Sequence, residues 1–128
     1  MRKITEKIAE CFNAGVSLTM DNTRTDGQKV WLFGNMIAEA DHRLGLLKIT
    51  LCGHDTATTK ERLNGIMQKF GVDGRIYSKN KHYILEINGK RVPDFNPFSN
   101  AVIGVFGINH QFIDDEIAWL WAVWVVGI

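Results

Sequence analysis

Short turn sequences at close intervals constrain this chain more than any other feature. Pairs that combine Gly with Asp or Asn occur at Asp26-Gly27, Gly34-Asn35, Asp73-Gly74 and Asn88-Gly89. Pairs of this kind favour tight turns that join neighbouring antiparallel strands. Many β-branched and aromatic residues, which favour strands, flank these pairs. We therefore predict an antiparallel sheet built largely from neighbours in sequence.

The turn positions divide the chain into a series of strands. We predict four strands in the first half, at residues 16–22, 28–33, 36–40 and 46–52. Three more follow at residues 75–79, 82–87 and 90–92, and Ala101 to Ile108 has the composition of a buried strand. A meander is the simplest topology that connects the first four strands.

Two segments have the apolar spacing of an amphipathic helix. In residues 2–13 the apolar side chains recur three and four positions apart, and Gly15 supplies a stop signal. A second stripe runs from Leu63 to Phe70 and ends at Gly71. Thr58 with Glu61 three residues later fits a capping box, which predicts the start of this second helix.

Together these elements predict the α+β class, an antiparallel sheet with two or three helices packed mainly on one face. The 128 residues suit a single domain. Within it we distinguish a mixed-charge body at residues 1–91, a Pro-containing connector at residues 92–97, and an apolar C-terminal element at residues 98–128.

Charge and composition exclude several classes of protein. Fifteen Lys and Arg against 14 Asp and Glu give a net charge of +1, which argues against a protein held on duplex DNA by phosphate contacts. Two cysteines indicate reduced thiols and an intracellular chain. The apolar run 117–126 has ten residues, about half of the ~20 that span a bilayer, so we predict no transmembrane segment.

The apolar end is the strongest candidate for a partner surface. It contains Trp119, Trp121 and Trp124, three of the four tryptophans, together with Phe112. Tryptophan is enriched at the centres of protein interfaces. We therefore predict a partner or oligomer interface at these residues and expect a homo-oligomer. Two alternatives stay open: residues 117–126 form either a helix or a strand, and the apolar end is either an interface or part of the monomer core.

Two groups of cations are candidate contacts for an anion or a nucleic acid. Lys60 and Arg62 lie in the first turns of the second predicted helix, although plain helix capping explains that segment with fewer assumptions. Arg75, Tyr77 and Lys79 alternate onto one strand face, and Lys81 follows them. Such a face could stack a single-stranded base, but a solvated outer face is the more ordinary interpretation.

The sequence gives little support for catalysis. A metal site is conceivable if the turn after Ala40 lies beside the end of the strand at residues 46–52, with the ligands Cys52, His54, Asp55, Asp41 and His42. A Cys-x-His spacing alone is a weak signal for zinc. No nucleophile, base and orienting group occur in a recognisable pattern. We therefore predict no catalytic residue, no metal and no cofactor, and we keep a small enzyme with a site at Cys52 and His54 as a third hypothesis.

Four segments resemble a group of small proteins encoded by tailed bacteriophages and prophages. They are Asn22-Thr23, the hairpin at residues 31–38 with its Leu-x-Gly-Asn-x-Ile-Ala pattern, the strand-to-helix junction at residues 53–65, and Asn88-Gly89-Lys90. The resemblance covers about residues 1–91. Two departures are that His54 stands where the group has Trp, and that the chain continues beyond the last hairpin. The resemblance implies a phage origin and carries over no catalytic residue.

These observations lead to one favoured function and two alternatives. The favoured function is a non-enzymatic phage accessory protein in the host cytoplasm that binds and blocks a host macromolecule. Its expected partner is a host protein or a protein–nucleic-acid complex, such as the defence nuclease complex that an anti-CRISPR-like inhibitor blocks. A single-stranded nucleic-acid-binding protein is the first alternative, and the enzyme is the second.

Overall fold

The computed structural model describes residues 1–54 and 56–104, and the backbone of residues 112 and 113. This part of the chain contains two helices and ten strands, and the strands form two antiparallel sheets. In chain order the elements are α1 (Lys3–Ala14), β1 (Leu18–Met20), β2 (Thr23–Thr25), β3 (Lys29–Leu32), β4 (Asn35–Asp41), β5 (Leu46–Ile49), α2 (Ala57–Lys69), β6 (Gly74–Lys79), β7 (His82–Ile87), β8 (Lys90–Arg91), β9 (Ala101–Gly104) and β10 (Phe112–Ile113).

The larger sheet has seven strands in the order β1-β2-β3-β4-β5-β9-β10. Its first five strands form a meander, as the turn spacing predicts, and β9 then pairs antiparallel with β5. The smaller sheet contains β6, β7 and β8. The predicted α+β class with helices packed on a sheet is confirmed. The prediction had one sheet, whereas the strands form two.

The predicted strand at residues 16–22 is shorter in the structure, where β1 covers Leu18–Met20, and a turn joins it to a second short strand that was not predicted. Asp21 adopts φ 52°, and Met20 pairs with Thr23 across the turn. The second of these strands, β2, was missed because its residues are polar and it follows a turn that contains no glycine. Asp tolerates the left-handed region better than most residues, which allows this turn.

The second helix begins two residues earlier than the capping-box pattern predicts. Thr56 is the N-cap, and its hydroxyl accepts a hydrogen bond from the Thr59 backbone N–H at 3.1 Å. Glu61 does not complete the predicted box, since its carboxylate bonds to Thr5 and Arg62 instead. The prediction of Thr58 as the cap is therefore wrong, although the helix itself is confirmed.

Helix α2 connects the two sheets. It packs against α1, β4 and β6, and its apolar side chains Leu63, Ile66 and Met67 are buried. The Asn64 side chain accepts a hydrogen bond from the Ile76 N–H at 2.7 Å and donates one to the Ile76 carbonyl at 3.0 Å. This amide pairs with β6 as a neighbouring strand would, so α2 fixes where the smaller sheet lies.

The hydrophobic core lies between the helices and the sheets. Phe12 of α1, Leu47 of β5 and Leu85 of β7 are completely buried, and a buried Phe or Leu side chain contributes about 1.5–3 kcal/mol of transfer free energy. Phe95 is only 8% exposed and belongs to the same core. The segment predicted as a connector, residues 92–97, therefore contributes to the packed interior.

One charged side chain lies inside this core. Arg62 of α2 is 1% exposed. Its Nε donates to Thr23 Oγ1 at 3.0 Å, and its Nη1 donates to Thr5 Oγ1 at 2.6 Å and to Glu61 Oε1 at 2.7 Å. One guanidinium thus joins α1, β2 and α2. Burial lowers the pKa of Arg62, and the Glu61 carboxylate opposes that shift.

The structure places Arg62, predicted as an anion contact, with its guanidinium in the interior, where it is 1% exposed. The resemblance segments Asn22-Thr23 and 53–65 meet at this guanidinium. Thr23 accepts one of its hydrogen bonds and donates its own to the Asn22 side chain at 2.7 Å. Part of the sequence pattern is therefore explained by a buried polar network.

Several predictions lie outside the described residues. They include the helix or strand at residues 117–126 and the interface at Trp119, Trp121 and Trp124; for Phe112 the structure describes the backbone in β10 alone. Across residues 1–54 and 56–104, neither helix is long and apolar enough to cross a membrane.

Replacing Arg62 should destabilise the fold strongly. We expect Arg62→Met to lower the free energy of unfolding by about 2–4 kcal/mol, because two buried threonine hydroxyls and a partly buried carboxylate lose their partner. Urea denaturation followed by circular dichroism measures this loss. Arg43→Met, at an exposed arginine, is the matched control and should change stability by less than about 0.5 kcal/mol. Equal stability of the two variants would contradict the assigned role.

Candidate aromatic docking site

The two longest resemblance segments enclose a cleft. One wall is the tip of the β3–β4 hairpin, and the other is the junction that leads into α2. The cleft has a volume of about 290 Å³, close to the lower end of the range for small ligand sites. Its lining residues are Leu32, Phe33, Asn35, Ile37, Leu51, His54, Thr56, Thr58 and Thr59.

Phe33 is an unusual residue for the position it occupies. It is 72% exposed, and it adopts φ 50° beside Gly34 at φ 80° in the two-residue turn between Leu32 and Asn35. A turn with two positive φ values favours Asn-Gly, and a bulky side chain in the left-handed region costs about 1–2 kcal/mol. The backbone conformation disfavours a phenylalanine here, which points to a role for the exposed ring outside this turn.

A second exposed aromatic ring lies beside the same junction. Phe98 is 80% exposed and packs against Gly53, where an added Cβ would come within 2.8 Å of Phe98 Cε1. The Gly53 N–H also donates to the Pro97 carbonyl at 2.7 Å. His54 follows Gly53 and lines the cleft together with Phe33. We call the exposed group Phe33, His54 and Phe98 the aromatic rim.

The aromatic rim was not predicted from the sequence. The predicted hairpin turn is Gly34-Asn35, whereas its two central residues in the structure are Phe33 and Gly34. One signal in the sequence could have indicated Phe33: a Phe precedes the turn glycine, where this kind of turn usually has Asn. Phe98 had no such signal, because its position depends on the contact with Gly53.

The N-terminus of α2 does not gather the cations predicted for it. The hydroxyls of Thr56 and Thr59 bond to each other at 2.8 Å while Thr56 caps the helix. Lys60 Nζ donates to Ser78 Oγ at 2.7 Å and lies 5.9 Å from the centre of the Tyr83 ring. Because Lys60 reaches toward β6 and Arg62 toward the core, the two do not form an anion site together.

The predicted strand face of Arg75, Tyr77 and Lys79 lies on β6, where Glu86 of β7 shares it. Glu86 accepts a hydrogen bond from the Tyr77 hydroxyl at 2.5 Å and one from Arg75 Nε at 3.3 Å. The Arg75 guanidinium also covers the Tyr77 ring at 4.5 Å. These contacts occupy the ring and the charge that base stacking would need. Lys81 lies in the following turn at φ 64°.

The residues considered as metal ligands have separate surroundings. His42 Nε2 lies 2.7 Å from the Gly27 carbonyl, with its ring stacked on Phe70, while Cys52 is an exposed free thiol. Asp55 lies outside the described residues. Over the described parts of residues 1–104, no three His, Cys, Asp or Glu side chains are grouped to hold a metal ion.

The left-handed turn predicts an increase in stability on substitution. We expect Phe33→Asn to raise the free energy of unfolding by about 1 kcal/mol, because asparagine is favoured at this turn position. Thermal and urea unfolding measure the change. Phe98→Asn is the control, since Phe98 has no positive φ to relieve. A lower stability of Phe33→Asn would contradict the strain argument.

The contacts of Glu86 predict its titration. The Tyr77 hydrogen bond, followed by the Arg75 charge and hydrogen bond, lowers the pKa of Glu86 below its ordinary value. We expect Tyr77→Phe to raise that pKa in a carbon-detected NMR titration, while Tyr83→Phe, on the other strand face, leaves it unchanged. Because the folded-state pKa is depressed, this contact stabilises the protein above the ordinary glutamate range and is lost as pH falls. An unshifted pKa in Tyr77→Phe would contradict the assignment.

Comparisons with known proteins identify a family. The family model described as Kyanoviridae Gp96 protein matches residues 1–111. Neither a curated protein nor a solved structure matches the chain. The matched region extends beyond residue 91, where the resemblance seen in the sequence ends, and it includes β9. Because it covers most of the 128 residues, the chain belongs to the Kyanoviridae Gp96 family of phage proteins.

Proposed function

We propose that this phage protein is an accessory protein that binds a host protein through the aromatic rim and blocks it. The observation that supports this most is Phe33, a 72% exposed ring held at positive φ. Because this aromatic residue is exposed and strains its own turn, we infer that its contribution lies in binding and not in the stability of the fold. Burial of such a ring in a partner pocket supplies that benefit, as aromatic anchors do in many interfaces.

The surroundings of Phe33 also fit a protein partner. The cleft beside it offers apolar walls from Leu32 and Ile37, and hydroxyls from Thr56 and Thr58 at its edge. An interface of this composition combines an aromatic centre with polar groups around it. The finer part of the proposal, a host defence complex as the target and the host cytoplasm as the place, rests on membership in a phage protein family.

The proposal assigns binding rather than catalysis, and it leaves nucleic acid as the alternative partner. The contacts of Arg75 and Tyr77 do not favour the base-stacking face expected from the sequence, since Glu86 engages both side chains. The homo-oligomer expected from the tryptophans remains a separate prediction, because those residues lie outside the described part of the chain.

Capture from a host lysate tests the proposal when the variants are compared. Tagged wild type, Phe33→Asn and Phe98→Ser are each used as bait and bound proteins are identified by mass spectrometry. Val16→Ser is the matched control, because Val16 is an exposed apolar residue outside the cleft. We expect one host protein to be retained by wild type and the control and lost, by about tenfold or more, in both aromatic variants.

The captured protein is then purified and its activity measured with increasing amounts of the phage protein. Blocking by binding predicts inhibition that is complete near one equivalent and absent with Phe33→Asn. Inhibition by substoichiometric amounts, or covalent change of the target, would overturn the non-enzymatic proposal. Retention of the same partner by Phe33→Asn would overturn the assignment of the aromatic rim.

A further inference from the structure

The larger sheet has a second face, which points away from the core. On β9, Ala101 and Ile103 belong to the core cluster, whereas Val102 between them does not. Because side chains alternate along a strand, Val102 lies on the opposite side of the sheet, which we call the outer face. Strand pairing places a row of residues from β3, β4, β5 and β9 on it, and alternation adds three apolar side chains: Lys29, Glu39, Lys48 and Val102, with Trp31, Met36 and Leu46.

The outer face is buried where β9 crosses it. Val102 is 0% exposed and Glu39 is 8% exposed. Toward the β2 edge of the same face Arg24 is exposed, with its guanidinium 3.9 Å from the centre of the Trp31 ring. An antiparallel sheet with one solvated face has mainly polar side chains there. Neighbouring strands shield the sides of a valine, and its complete burial requires a layer packed above the sheet.

The helices and the smaller sheet lie on the other side of the larger sheet. Phe12 of α1, Leu63 of α2 and Leu85 of β7 belong to the same core cluster as Ile103. All three elements therefore pack on the core face. This leaves the chain that follows β9 as the source of the layer above Val102.

The chain beyond β10 starts beside the buried part of the outer face. Ile113 of β10 pairs with Val102 of β9, so residue 114 follows at this edge of the sheet. The distance from β9 to β3 is three strand spacings, about 14 Å. Residues 114–128 span about 22 Å as a helix and more as a strand, so either conformation is long enough to cross the face.

Residues 114–128 also complement the outer face in charge and in apolar surface. They begin with Asp114-Asp115-Glu116, contain no basic residue, and continue into the wholly apolar run 117–126. The outer face carries three cations against two carboxylates: Arg24, Lys29 and Lys48 against Glu39 and Asp41. An acidic start beside a cationic face, followed by an apolar run above apolar side chains, favours packing of the two surfaces.

We propose that residues 114–128 of the same chain dock on the outer face, with their acidic start near Lys48 and the apolar run above Leu46 and Val102. The tryptophans of that run then belong to the monomer and not to an oligomer interface, which selects one of the two alternatives that the sequence leaves open. The outer face shares no residue with the aromatic rim. The proposal therefore goes beyond the proposed function and leaves that rim as the partner surface.

Zero-length cross-linking of the full chain tests the docking. A carbodiimide joins a lysine to a carboxylate only when the two are in contact, and an equal mixture of unlabelled and isotope-labelled protein separates links within one chain from links between two. We expect links from Lys48 to residues 114–116 in peptides of a single isotopic form. Lys90, an exposed lysine on the smaller sheet, is the matched control and should form no link to these carboxylates.

Tryptophan emission gives a second measurement. In a Trp31→Phe background every remaining tryptophan lies in residues 114–128. Leu46→Asp places a carboxylate beneath the docked run and should shift the emission to longer wavelength and increase its quenching by acrylamide. Val16→Asp, at an exposed position outside the outer face, is the control and should change neither. Circular dichroism checks that the variants fold, and the cross-linking needs no variant.

Each outcome decides the proposal. Links within one chain from Lys48 to residues 114–116 support the docking. Links that join the two isotopic forms would overturn it in favour of a second copy of the chain on the outer face. Absence of these links, or unchanged emission in a folded Leu46→Asp variant, would overturn it as well. Partner capture by Phe33→Asn is measured independently, so the docking and the proposed function can fail separately.

Discussion

The position of one buried guanidinium controls much of this structure. Taking an arginine out of water is costly, so Arg62 is tolerated only where its donors find partners. Those partners come from α1, β2 and the neighbouring position on α2, and each must be placed to within hydrogen-bonding distance. The network therefore specifies how the first helix, the meander and the second helix fit together, beyond what apolar packing requires.

The candidate docking site and the smaller sheet both depend on the helix that carries this arginine. The first turn of α2 forms one wall of the cleft beside Phe33 through Thr58 and Thr59. Two turns along, Asn64 holds the backbone of Ile76 and with it the three-stranded sheet. A disturbance at Arg62 would thus reach both regions. Binding assays on variants near this network need a parallel stability measurement for that reason.

The sequence allowed the local elements to be predicted better than the surfaces. Turn pairs such as Asn88-Gly89 and the apolar stripe of α2 have short-range causes, and their strands and helix are where they were expected. Arg62 was misplaced because its burial depends on Thr5 and Thr23, which are distant in sequence. Phe98 was missed for the same reason, since its neighbour Gly53 lies far along the chain.

The place of β9 limits where this domain can be divided. Residues 1–91 contain every segment on which the phage resemblance rests. The neighbour of β5 in the sheet is nevertheless β9, which begins ten residues after residue 91. A chain shortened to residue 91 would leave one side of β5 without its hydrogen-bonding neighbour, and an unprotected apolar strand edge promotes pairing between copies. Recombination between relatives would preserve the sheet only if the exchange point lies outside the stretch from β5 to β9.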